Sequence, residues 1–217
     1  MDALHFCIAL GPLAIYLLLL GMVNLSRRPF LTTGFRDTTA LGVGICGFVV
    51  AGPMELFLPD ATGFAYGWIV WALMLSFYAL SLILIVLLLR PKLVIYNVKP
   101  DQLRPVLAQI VSELDKDARW AGDSLTLPQL GVQLHVETFR SLRNAQLVSS
   151  GPQQSYIGWR KLEVALRQAL GQTISTPNRY GYFQIGFSIA AIVLIAWSLA
   201  SDPTGVDQAL TEMLRLG

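Results

Sequence analysis

Glu55 is the one carboxylate inside an apolar run long enough to cross a bilayer. An ionisable group is costly at that depth and reads by default as a site that handles ions or protons. Gly52-Pro53 stands just before it. A proline removes one helical hydrogen bond and frees a carbonyl, so the pair predicts a broken helix of the kind that lines transport sites. Depth favours a plainer role. Glu55 precedes the outer end of its run, Leu58, by three residues, about 4.5 Å at the helical rise. A structural carboxylate at the outer rim is the preferred reading.

His135 alternates with Gln133 and Glu137. A His–Glu pair on one strand face can pass protons. With no nucleophile or metal partner close by in the sequence, it reads as a solvent-facing pair. His5 and Cys7 fall on the other side of the membrane in the threading below, so the two histidines cannot share a metal. Cys7 and Cys46, both in apolar runs, exclude a disulfide framework and a zinc knuckle.

Gly42-x-Gly44-x-x-Gly47 matches a dinucleotide fingerprint in letters only. That motif works where a strand turns into a helix, whereas these glycines lie within an apolar helix. They join Ala40 and Ala51 instead. Ala40, Gly44, Gly47 and Ala51 form a small-residue face along which helices approach closely. G-x-S-x-G, Walker and H-E-x-x-H patterns are missing from the chain. No catalytic residue, cofactor or metal is therefore assigned.

The elements that must position these residues are mostly membrane helices. Of 217 residues, 54% are hydrophobic without counting 18 glycines, and 14% are charged. Soluble domains average about 45–50% apolar with glycine included and about 25% charged. Four runs reach bilayer length: 6–23, 40–58, 64–89 and 182–200. Asp2 and the lack of Lys or Arg before the first run argue against a cleaved signal peptide.

Fifteen of the 16 Lys and Arg residues fall in the segments 24–39 and 90–179, and the other is Arg215. Cytoplasmic loops collect such residues, so one threading is predicted: both termini outside and residues 90–179 in the cytoplasm. Arg27, Arg28, Arg36, Arg90, Lys92 and Arg179 read as inner-surface anchors, and Trp68, Trp71 and Trp197 as the outer aromatic belt. Asp37 or Thr38 is placed to cap the second span.

Residues 91–178 change character. A β-branched run at 93–98 reads as a strand, and Asp101 as the N-cap of a helix whose apolar residues Leu103, Val106, Leu107, Ile110, Val111 and Leu114 share one face. Strands are expected at 124–127, 132–138 and 144–149, with Pro128–Gly131 as a hairpin turn, and a helix at 154–170. Trp120 and Trp159 stand beside turns. Core packing is the default for both, and an exposed patch around either would nominate a protein contact.

The predicted fold is a four-helix transmembrane bundle, an all-α membrane class, with a small β-α-β-β-β-α cytoplasmic insert between spans three and four. Residues 1–90 hold three spans, 91–178 the α+β domain, and 179–217 the last span with a short amphipathic tail. The expected partners are the lipid bilayer and a protein in a plasma- or inner-membrane assembly. A formal net charge of +2 gives no reason to expect nucleic acid. The leading function is a non-enzymatic interaction, regulatory or assembly subunit that docks a partner. The alternatives are a small transporter or channel component using Glu55 and the Gly52-Pro53 break, and a membrane-embedded enzyme acting on lipid.

Overall fold

A computed structural model describes residues 3–57, 68–152 and 154–214. In chain order the elements are α1 (Ala3–Leu25), β1 (Phe30–Thr33), α2 (Gly34–Phe57), α3 (Trp68–Leu88), β2 (Lys92–Tyr96) and α4 (Pro100–Leu114). Then follow β3 (Arg119–Ala121), β4 (Ser124–Leu127), β5 (Val132–Phe139), β6 (Asn144–Ser149), α5 (Tyr156–Gln172), α6 (Tyr180–Ser201) and α7 (Pro203–Leu214). The chain is helix-rich with one antiparallel sheet. It divides into a helical unit (residues 1–20, 38–88 and 183–217) and an α/β unit (residues 21–37 and 89–182).

Among the described residues, three helical stretches are long and apolar enough to cross a membrane: Ala3–Leu25, Gly34–Gly52 and Tyr180–Ser201. The predicted third span meets α3, whose described apolar stretch is Ala72–Leu88, shorter than the other three. Residues 58–67 lie outside those described. The helices bury little of themselves: 17% of the most apolar part of α1, 28% of that of α2 and 17% of that of α6. Leu73, Phe77, Leu80, Ile83, Leu87, Phe187 and Val193 are among the exposed side chains. An apolar surface that extensive belongs in lipid.

Glycines set the packing of the helical unit. A Cβ on Gly47 would collide with the Ile8 carbonyl, and one on Gly44 would meet Tyr16. A Cβ on Gly42 would meet Leu82 of α3, and the Tyr78 hydroxyl donates to the Gly42 carbonyl at 2.6 Å. One side of α2 thus faces α1 and another faces α3. Ala51 is buried, but Ala40 is exposed. The buried small residues of α2 therefore include Gly44, Gly47 and Ala51 but not Ala40. On α6, Ser188 is 0% exposed and donates to the Ala14 carbonyl at 2.6 Å.

The α/β unit carries a sheet in the order β1-β2-β6-β5-β4-β3, antiparallel throughout. Its core holds Leu93, Ile95, Leu103, Leu107, Leu125, Leu127, Leu134, Leu147, Leu162 and Leu166. Each such leucine contributes roughly 1.5–3 kcal/mol.

Two of the six strands were not expected. β1 lies between the first two predicted spans, in a segment read as a plain loop. It pairs with β2 through Phe30↔Tyr96 to Thr33↔Leu93 and buries Leu31 in the core. Without it β2 would be a bare edge. The predicted insert is thus enlarged by a strand from outside its boundaries. β3 is three exposed residues, with no apolar alternation to announce it. It forms because Gly122, at φ +64°, closes a tight turn onto β4.

Helix starts also differ from expectation. α4 begins at Pro100 with Lys99 as N-cap and no side-chain cap, so Asp101 is a first-turn residue. Proline presets φ for the first helical position, and the Asp101 charge suits the positive helix end. α2 begins at Gly34, ahead of Asp37 and Thr38. The Thr33 hydroxyl accepts from Arg36 N at 3.4 Å, and the Tyr96 hydroxyl donates to Asp37 at 2.6 Å. α5 starts at Tyr156, where the Ser155 hydroxyl accepts from Gly158 N. α2 continues through Gly52-Pro53 to Phe57, where a broken helix was expected.

Candidate functional site: a groove between α4 and the sheet

The sheet puts both of its helices on one face, but the covering is incomplete. The β3–β4 hairpin ends at Gly122-Asp123, level with Val136, while β5 runs on to Phe139. Where the hairpin stops, a cleft of about 620 Å³ opens under the first half of α4. Small-molecule and cofactor sites commonly span roughly 300–1,000 Å³.

Its apolar lining is Leu103 and Leu107 from α4, Trp120 from β3 and Val136 from β5. Their register explains the convergence. Trp120 lies opposite Leu125, and Leu125 opposite Leu134. Val136 is two residues further along β5, so it shares a face with Leu134. Trp120 keeps 39% of its surface exposed, whereas Trp159 keeps 7%. The sequence criterion for a contact patch thus singles out Trp120. Trp159 is core, with its indole N–H donating to Gln154 at 2.7 Å.

Charges rim the cleft. Asp101 and Arg104 come from α4, Asp123 from the hairpin turn and Arg140 from the end of β5. Arg104 stands 4.0 Å from Asp123 with both side chains well exposed, so water screens the pair and it is worth little. Among the described residues Arg140 has no ion pair or hydrogen bond. Pro105 lacks the N–H that would bond the Asp101 carbonyl, which leaves a backbone acceptor without its helical donor at the rim. The site thus joins a greasy floor to charged and backbone polar groups. That suits an amphipathic chain better than a purely apolar ligand.

No protein family matches this chain, and neither does a curated protein or a solved structure. Its own geometry carries the functional reading.

The residues singled out from sequence fall in several places. Ser124 lies directly opposite His135, and its hydroxyl is 3.1 Å from His135 Nδ1. The sequence reading missed this serine, although the hairpin turn would have located it. Once Leu127 and Val132 flank the turn, stepping outward brings Ser124 to His135. Among the described residues no hydrogen bond joins Glu137 to His135, and Glu137 is exposed, so the three form no relay. No cluster of three His, Cys, Asp or Glu side chains converges among the described residues.

Arg27, Arg28, Arg36, Arg90 and Arg179 are exposed, and Trp197 is 73% exposed. The Lys92 side chain lies along Gly34. The side chains of Glu55, Trp68 and Trp71 lie outside those described.

A second polar cluster holds the unit together beside its helix-linking segments. Asn97 is 0% exposed with φ +56° and donates to the Ser26 carbonyl. Ser175 donates to the Asn97 carbonyl at 2.7 Å, and its N–H donates to the Arg27 carbonyl at 2.8 Å. Arg143 donates to Thr176 at 2.9 Å and to the Pro177 carbonyl at 3.1 Å. Asn178 donates to the Leu142 carbonyl at 2.9 Å. The segments after α1, after β2, between β5 and β6, and before α6 are thereby tied at one point.

Proposed function

We propose that the chain is an integral membrane protein whose α/β unit docks a protein partner through the groove beneath α4. The groove itself carries this reading: a half-exposed tryptophan beside buried leucines, ringed by charges of both signs. Interaction hot spots have that composition, an aromatic or arginine anchor in an apolar pocket with a polar rim. Four spans are part of the proposal, formed by α1, α2, α3 and α6. Both termini then lie outside, and the α/β unit lies in the cytoplasm beside the anionic leaflet. The basic residues at 27, 28, 36, 90, 92 and 179 support this orientation. A reporter enzyme fused after residue 150 and active only outside the cell would overturn it.

The docking reading is tested with a photo-reactive amino acid placed at Arg104, on the groove rim, or at Gln168, exposed on α5. A stoichiometric partner retained in mild detergent and cross-linked from position 104 but not 168 is the expected result. Equal cross-linking from both, or from 168 alone, removes the groove from the account.

A further inference from the structure

We propose that the open edge of β5 inside this groove is a strand-addition site for an extended segment of the partner polypeptide. This rests on the docking reading above and states how the partner binds.

The argument comes from the ladder. β4 pairs with β5 from Leu127↔Val132 to Ser124↔His135, and the Val136 N–H then donates to the Asp123 carbonyl at 2.8 Å. There the hairpin turns back. β5 continues to Phe139, paired with β6 alone. Successive residues of an antiparallel strand direct their backbone groups to opposite neighbours. The Val136 backbone groups point toward β4, so those of Thr138 point the same way, past the end of β4, where no strand lies among the described residues. Its N–H and carbonyl have no partner among the described residues. The same alternation turns the Thr138 side chain to the α4 face, and Thr138 and Arg140 both line the cleft.

An extended segment laid where β4 would have continued bonds the Thr138 backbone with its own. Every second side chain then projects toward Leu103, Leu107 and Trp120. An acidic side chain on the segment meets Arg140, the rim cation without a partner among the described residues. In strand addition, main-chain hydrogen bonds supply affinity and pockets for alternate side chains supply selectivity. Both parts are present here.

The test uses the full chain in lipid nanodiscs, panned against a phage-displayed library of linear random peptides. The best binder is resynthesised with single N-methyl groups along its length. Affinity is expected to fall about tenfold at alternate positions and little between them. Thr138→Pro deletes the outward N–H without touching a β5–β6 hydrogen bond, and is expected to weaken the unmodified peptide by a similar factor. If Thr138→Pro does not fold, the N-methyl scan on the unaltered chain decides alone. A scan without two-residue alternation, the absence of any binding peptide, or a dimer of the chain formed through this edge overturns strand addition. Partner cross-linking from position 104 together with a flat scan overturns strand addition alone and leaves docking standing.

Discussion

The Ile8 carbonyl of α1 lies against Gly47 of α2, and Pro12, four residues on from Ile8, has no N–H to offer that carbonyl. A helical carbonyl loses its donor at the point where the neighbouring helix comes closest. In lipid such a carbonyl must find another partner, and a glycine Cα–H at close range is one of the few available. The proline and the glycine therefore belong to a single packing device, although 35 positions separate them.

Gly47→Ala is expected to separate the two helices and destabilise the helical unit by about 1–3 kcal/mol, the usual cost of overpacking. Gly52→Ala meets nothing within 4 Å and serves as the control. Thermal unfolding in one detergent compares the pair. Equal melting temperatures would show that the Gly47 contact carries no packing role.

Asn97→Ala removes the bond to the Ser26 carbonyl and puts a residue intolerant of positive φ at a buried turn. The loss is about 1–3 kcal/mol for the orphaned, partly buried carbonyl, plus about 1 kcal/mol for the left-handed backbone. Asn97→Gly restores the backbone and is expected to recover the smaller part only. Denaturant unfolding of the three proteins orders them Asn, Gly, Ala. Any other order separates the turn from the hydrogen bond.

Leu162 is 0% exposed in the core beneath the sheet. Leu162→Ala should cost about 2–5 kcal/mol, because transfer energy is lost and a cavity remains. Val164, exposed on the same helix, should tolerate alanine within about 0.5 kcal/mol. The contrast is read from proteolysis rates of the α/β unit in the intact chain.

Trp120→Ala leaves the core leucines in place and removes the aromatic anchor of the groove. Partner affinity is expected to fall by about 2 kcal/mol, close to thirtyfold, with the melting temperature little changed. Arg140→Glu should weaken binding further at low salt than at high salt, since an exposed charge is screened within a Debye length of about 10 Å at 0.1 M. Unchanged affinity in both variants would move the docking surface elsewhere.

Much of the architecture was legible because its signals are local. The spacing of Leu103, Leu107, Ile110 and Val111 announces one buried face, and that face is buried. Alternation in β5 separates Val132 and Leu134 from Gln133 and His135 in the same way. β1 and β3 escaped because neither carries a periodic pattern. One is four residues against a helix start, and the other is three exposed residues. Ser124 escaped for a different reason: its pairing with His135 follows from register, which becomes visible only when the turn is used to count outward.

Sequence alone determined that long apolar runs must become helices and that the charged middle must fold as helix and strand, because both follow from the period and length of apolar residues. The tertiary structure alone decided which strand closes the edge beside β2, that α2 starts six residues before its predicted span, and that β5 outruns its neighbour to leave a groove. Those outcomes depend on which backbone edge finds a partner, and hydrogen-bonding groups of the main chain are the same in every residue but proline. No side-chain pattern records them.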